Sequence, residues 1–220
     1  MAFGVLIFDG VEELDFVGPW EMITTWADLA GGPSPCVIIA ENLRPIVCAN
    51  RLSVNPDVDF ATCPNLEYLL IPGGRGTRRE MHNEALLHFV KTQAAHCRAV
   101  VSVCTGSLVL HAAGLLADKR ATTHWSTLDQ LRAMGNVEVI EDRFTRDGNV
   151  WCSAGVSAGM DMILQLIADV SGAEAAGRVQ FEVEYYPATT TFGNFGSHPQ
   201  APQYIRDAFR RPSCSPDQPG

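Results

Sequence analysis

The stretch Val100-Val-Ser-Val-Cys-Thr-Gly-Ser-Leu-Val-Leu110 changes character in its middle. Val100–Val103 is a short apolar, β-branched run, as expected of a strand buried on both faces of a parallel sheet. Gly106 opens an apolar run to Leu116 that reads as a helix. Cys104 and Thr105 stand at the corner. A core cysteine is one reading, because free cysteine is among the most buried residue types. A nucleophile held on a strand-to-helix turn is the other. In an open parallel sheet, reactive groups gather at the carboxyl ends of strands. A helix start beside the thiol would supply partial positive charge and unpaired amides, which favour thiolate and bind anions.

Working outward, the same alternation repeats. Phe3–Phe8 reads as a first strand ending at Asp9-Gly10, and Cys36–Glu41 as a second. Leu14–Leu29 reads as a helix once Gly18-Pro19 is passed, since proline suits a helix start. Pro45–Asp59 suits a small hairpin, and Leu66–Ile71 is a buried strand stopped by Pro72-Gly73-Gly74. Arg79–His96 has helical spacing, Ala121–Thr123 is short and β-prone, and Thr127–Met134 is helical. Asp147-Gly148 is a hairpin turn between Phe144–Arg146 and Asn149–Cys152. Ser157–Val170 and Ala173–Val183 are helices, and Tyr204–Arg211 is a short last one. Strand–helix alternation without repeats or a linker predicts one α/β domain with a mostly parallel central sheet over residues 1–200. Residues 201–220 read as a short helix and a disordered, proline-rich tail.

Bulk properties narrow the function. The chain has 220 residues, is 46% hydrophobic and carries a formal charge of −9. Arg78-Arg79 and Arg210-Arg211 are isolated basic pairs, so nucleic acid is not expected as a partner. Seven cysteines, an odd number without a CxxC pair, argue against a disulfide framework and a zinc cluster. The N-terminus lacks the features of a signal peptide, and no apolar run approaches the roughly 18 to 20 residues of a membrane span. A reducing, cytoplasmic setting without membrane or metal is the expectation.

Three groups besides Cys104 could carry chemistry. Gly73 and Gly74 end the preceding strand, and their amides either face a Cys104 thiolate as an anion pocket or merely turn the chain. Asp15 lies among Leu14, Phe16 and Val17, where a carboxylate is either a raised-pKa acid or base or a solvated helix cap. His124, in Ala-Thr-Thr-His-Trp, is either a base for the cysteine or a structural histidine. Trp20, Trp26, Trp125 and Phe192 would shape an apolar pocket or fill the core.

The segments Leu14–Glu21 (LDFVGPWE), Ile71–Gly76 (IPGGRG), Ser102–Leu116 (SVCTGSLVLHAAGLL), Lys119–Trp125 (KRATTHW), Asp147–Asp161 (DGNVWCSAGVSAGMD) and Arg178–Tyr185 (RVQFEVEY) resemble the DJ-1/PfpI superfamily, and within it the isocyanide hydratases. The resemblance runs from about residue 3 to about residue 186. It implies a flavodoxin-like three-layer sandwich, a homodimer, and Cys104 as nucleophile on a strained elbow. It makes Asp15 the acidic residue that contacts the cysteine. Gly73, Gly74 and Thr105 would line an anion pocket through their amides, with His124 and Val156 behind the reacting groups. Thr105 stands where protease-like members carry histidine, which argues against a Cys-His peptidase. The implied reaction hydrates an isocyanide, R–N≡C, to an N-substituted formamide through a cysteine thioimidate, without cofactor. Two other activities occur near this branch. One is glyoxalase-like turnover of methylglyoxal, where relatives carry glutamate in place of Asp15. The other is a redox or ligand sensor without turnover, as in AraC-type regulators, whose DNA-binding region is not expected in this acidic chain.

Overall fold

The computed structural model describes residues 2–187, 191–193 and 195–210. The expected proline-rich tail and Cys214 lie outside them. The central sheet has seven strands: β1 (Ala2–Leu6), β2 (Cys36–Ala40), β5 (Val58–Asp59), β6 (Leu66–Ile71), β7 (Ala99–Val103), β10 (Phe144–Asp147) and β11 (Val150–Ser153). Their spatial order is β10-β11-β7-β6-β1-β2-β5. Every pairing is parallel except the β10–β11 hairpin, whose tip holds Asp147-Gly148. The hairpin expected near residues 45–59 forms between β3 (Ile46–Val47) and β4 (Ser53–Val54), but Val58–Asp59 leaves it to become the sheet's edge. Strand β8 (Lys119–Ala121) starts two residues before the expected run and pairs with β9 (Val137–Val139) in a separate ribbon.

Helices cover the sheet. On one side α1 (Glu13–Leu29), α6 (Ala158–Ser171) and α7 (Ala173–Glu182) pack on one another; α2 (Thr77–Glu80), α3 (Glu84–Ala94) and α4 (Gly106–Ala112) form the other group. The remaining helices are α5 (Leu128–Met134) and α8 (Gln203–Arg210). The expected α/β three-layer sandwich is the observed one.

Two helix boundaries differ for identifiable reasons. Helix α1 begins at Glu13, so Pro19 lies inside it and not at its start. Proline has no amide to offer the carbonyl four residues back, here that of Asp15. The acidic first turn, Glu13 and Asp15, favours the early start by complementing the helix dipole. The expected Arg79–His96 helix is broken, because the Asn83 side chain accepts hydrogen bonds from the amides of Ala85 (3.1 Å) and Leu86 (3.3 Å) and caps α3.

The core sits where β1 and β7 run fully buried between the layers beside β6, which is buried except at Glu67. Phe3 stacks on Tyr68 at 5.4 Å, and Trp26 meets the same ring edge-on at 5.7 Å. Trp26 is therefore core, its indole donating to Ser171 Oγ at 3.1 Å, while Phe192 is 83% exposed. Register aligns the strand ends: Ile71 pairs with Ser102, and Ser153 with Val103. The loops leaving β1, β6, β7 and β11 thus emerge side by side on one edge of the sheet.

Candidate active site

Four adjacent strand ends build the site. The loop after β7 is a single strained corner. Cys104 has φ of 56°, a left-handed conformation rare for a residue with a Cβ. Its neighbours hold that conformation: the Cys104 amide donates to the carbonyls of Ser153 (3.2 Å) and Ala154 (3.1 Å). Its carbonyl accepts from Ser107 Oγ (3.2 Å) and Thr123 Oγ1 (3.0 Å). Helix α4 then starts at Gly106, where a Cβ would sit 2.1 Å from the Ile71 carbonyl oxygen. Only glycine lets α4 begin so close to the end of β6.

The Cys104 sulfur meets two amides and one carboxyl. The Thr105 and Val156 amides lie close enough to favour a negative charge on it, and the Asp15 carboxyl is near enough for the two groups to shift each other's pKa. Val156, placed behind the reacting groups by the resemblance, lines the same cleft as Cys104 and has a positive φ of 39°. Asp15 comes from the first turn of α1 and is fully buried. Its Oδ2 accepts from the Gly73 amide at 2.9 Å; Oδ1 is buried without a geometrically formed hydrogen bond. Burial is the main cause that raises the carboxyl to about 7, with the Glu12 charge adding to it and the Gly73 amide opposing.

The thiol behaves differently from the expectation drawn from the helix start. Burial, and then the Asp15 charge, push Cys104 up to about 12, against the pull of the two amides. Desolvation outweighs the partial charge of a seven-residue helix and favours the neutral thiol.

The glycine amides also differ from expectation. Gly73 serves Asp15, and the Gly74 amide donates to Thr105 Oγ1 at 3.0 Å. Neither of these bonds is made to the sulfur, so both glycines order the groups around it. A Cβ on Gly73 would lie 2.5 Å from the Thr105 nitrogen and 2.8 Å from Asp15 Oδ2.

A cleft of about 170 Å³ opens in front of Cys104, lined by Glu12, Gly74, Arg78, Thr105, His124, Ser126, Thr127 and Val156. His124 lies in its wall, with Nδ1 2.9 Å from Ser126 Oγ. Burial and the Arg78 charge lower its pKa, so the imidazole is neutral. No hydrogen bond joins it to Cys104 among the described residues. Sequence reasoning missed Glu12, Arg78, Ser126 and Thr127. Glu12 and Arg78 were readable as members of the loops after β1 and β6; Thr127 carried no signal. It also missed Tyr204, which α8 brings within electrostatic reach of Cys104 and Arg143. That docking rests on the Gln203 amide donating to Glu141 Oε2 at 3.1 Å and on His198 meeting Trp125 edge-on at 5.7 Å.

A buried thiol and a buried carboxyl thus stand together beside a small cleft. Residues 3–169 match the model of the DJ-1/PfpI family. The chain belongs to that family. It is 38% identical over 211 residues to an isonitrile hydratase of Pseudomonas putida, which covers 96% of this chain and 89% of that protein. The crystal structure of a ThiJ/PfpI family protein from Pseudomonas syringae superposes with a TM-score of 0.81 at 35% identity, covering 94% of this chain and 84% of that one. A glutathione-independent glyoxalase of Caenorhabditis elegans is more distant, at 25% identity over 156 residues, 70% of this chain and 83% of that protein. Among the described residues, no group of three or more His, Cys, Asp or Glu side chains is placed to hold a metal. No described helix is long and apolar enough to cross a membrane.

Proposed function

We propose that this protein hydrates isocyanides to N-substituted formamides, with Cys104 as nucleophile and Asp15 as proton carrier. The observation that carries the reading is a thiol at a left-handed strand-to-helix corner, opening on a small cleft, with the fully buried Asp15 carboxyl beside it. Isocyanide hydration needs that pairing, because the terminal carbon must gain a nucleophile and then a proton. The similarity to the Pseudomonas putida enzyme over nearly the whole chain supports the same reaction.

In the proposed reaction each proton has a carrier. Asp15, as carboxylate, takes the Cys104 proton, and the sulfur attacks the terminal carbon of R–N≡C. The electron pair that develops on that carbon takes the proton back from Asp15, giving R–N=CH–S–Cys104. Asp15, again a carboxylate, accepts a proton from water as the water oxygen bonds to the same carbon. The imidate nitrogen takes up that proton. The tetrahedral species R–NH–CH(OH)–S–Cys104 loses its hydroxyl proton and expels the sulfur, releasing R–NH–CHO and restoring the thiol. General acid–base help of this kind is typically worth about 10² to 10⁴ in rate. The Thr105 and Val156 amides hold the negative sulfur as attacking and leaving group.

Purified protein mixed with p-nitrophenyl isocyanide, with formamide followed by chromatography, tests the reading. Formamide production that disappears in Cys104→Ala is expected; no product from the wild type, or undiminished product from the variant, overturns it. The proposal extends to a cytoplasmic homodimer, as the family resemblance implies. Leu14 and Val17, 41% and 42% exposed on α1, offer an apolar face for a second copy. Light scattering at micromolar concentration checks the mass.

A further inference from the structure

The cleft in front of Cys104 holds an arginine whose charge is not spent. Arg78 belongs to α2, directly after the loop that ends β6, and lines the cleft with Glu12, His124 and the thiol. Its Nη1 donates to the Gly74 carbonyl (3.4 Å) and to Thr77 Oγ1 (3.3 Å). Both acceptors lie on the Gly74–Thr77 turn at the cleft, so these contacts hold the guanidinium there. Its Nε and Nη2 have no acceptor among the described residues. The neighbouring Arg79 is bound to Glu80 and the Asp9 carbonyl, whereas Arg78 has no ion-pair partner among the described residues.

Among the other titratable groups in the cleft, Glu12 carries the opposing charge, but it forms no ion pair with Arg78. The Glu12 carboxylate is held by Asn50 Nδ2 at 3.0 Å and not by Arg78. His124 is kept neutral by burial and by Arg78 itself. A guanidinium with one tethered nitrogen and two free donors presents the planar fork that binds a carboxylate through two parallel hydrogen bonds.

Substrate orientation gives that fork a purpose. The R–N≡C group is linear, and its terminal carbon must reach the sulfur, so R points away from Cys104 toward the rim. A volume of about 170 Å³ is small beside the roughly 300 to 1,000 Å³ of drug-sized pockets. We propose that the substrates are small isocyanides whose R group bears a carboxylate, and that Arg78 selects them by binding it. This rests on the hydratase reading and adds the substrate class to it.

The test compares isocyanoacetate with its methyl ester, which keeps the reacting group and removes the charge. The wild type, Arg78→Gln and Arg78→Lys are assayed on both at low salt. The wild-type kcat/KM is expected to favour the anion by about tenfold or more, with the preference shrinking as salt is raised. In Arg78→Gln the preference collapses toward one or reverses, through a rise of about tenfold in KM for isocyanoacetate, and Arg78→Lys restores part of it. A wild type that hydrates both without preference, or an Arg78→Gln loss equal for both substrates, overturns the inference and leaves the hydratase reading standing. A wild type that hydrates neither removes both.

Discussion

Cys104 and Cys152 lie on neighbouring strands, and both are buried thiols. Cys152 sits inside β11, paired in register with Ser102, two residues before Cys104. Burial raises both, to about 11 for Cys152 and about 12 for Cys104. Each has amide help, from Thr122 for one and from Thr105 and Val156 for the other. Neither burial nor amides therefore distinguish a nucleophile from a core thiol here. Position does: Cys104 has passed the strand end, is held at φ of 56°, opens on a cleft and has a buried carboxyl beside it.

The widest separation between the two thiols is expected in turnover. Cys104→Ala should lower kcat/KM for an isocyanide by on the order of 10⁴-fold or more. Cys152→Ala should leave it within about twofold and cost about 1 kcal/mol of stability from the small cavity, read by urea titration. Loss of turnover in Cys152→Ala would erase the distinction.

Removing the proton acceptor should make Cys104 resemble Cys152. Asp15→Asn is expected to lower kcat by about 10² to 10⁴, measured with enough substrate to saturate. Next in size is Gly73→Ala. The added methyl must displace the Thr105 amide and Asp15 Oδ2, so a stability loss of about 1 to 3 kcal/mol should accompany a fall in kcat. A variant with normal kcat would show that the Gly73 contact does not position Asp15.

A smaller effect is the pH dependence. The proposed reaction starts from the Asp15 carboxylate beside the protonated thiol, so kcat/KM should rise with pH and level off above about 7, the Asp15 value. Stability moves the other way. The folded-state pKa of Asp15 is raised above its unfolded value, so its contribution is fully present below about 4 and is lost as pH rises through about 7. The loss is at most about 4 kcal/mol, from roughly three pKa units. Relative to wild type, Asp15→Asn should thus gain stability between about pH 4 and pH 8; a constant difference would show that Asp15 ionises normally.

Most of the sheet was legible because buried parallel strands are continuous apolar runs: Leu66–Ile71 and Val100–Val103 read directly as β6 and β7. The corner at Cys104 was legible for the same reason, as the point where one periodicity ends and another begins. What escaped depended on side chains reaching backbone far away or nearby. Asn83 capping α3 broke a periodic helix, and Pro19 misplaced the start of α1 because the acidic first turn outweighed it. The local sequence around Asp15 favoured a solvated or capping aspartate over a buried one. Its burial comes from α1 docking against the loop that ends β6, a contact across 58 residues. The expectation of a low thiol pKa failed because a helix start is visible in sequence and desolvation is not.

The most direct measurement is acid-quenched mass spectrometry of the protein during turnover. Within the first turnovers the peptide containing Cys104 should gain the full mass of the isocyanide, as the thioimidate requires, while the peptide containing Cys152 stays unmodified. Formamide accumulating with no adduct on Cys104 at any time point would mean that water attacks the isocyanide directly, and would contradict the account.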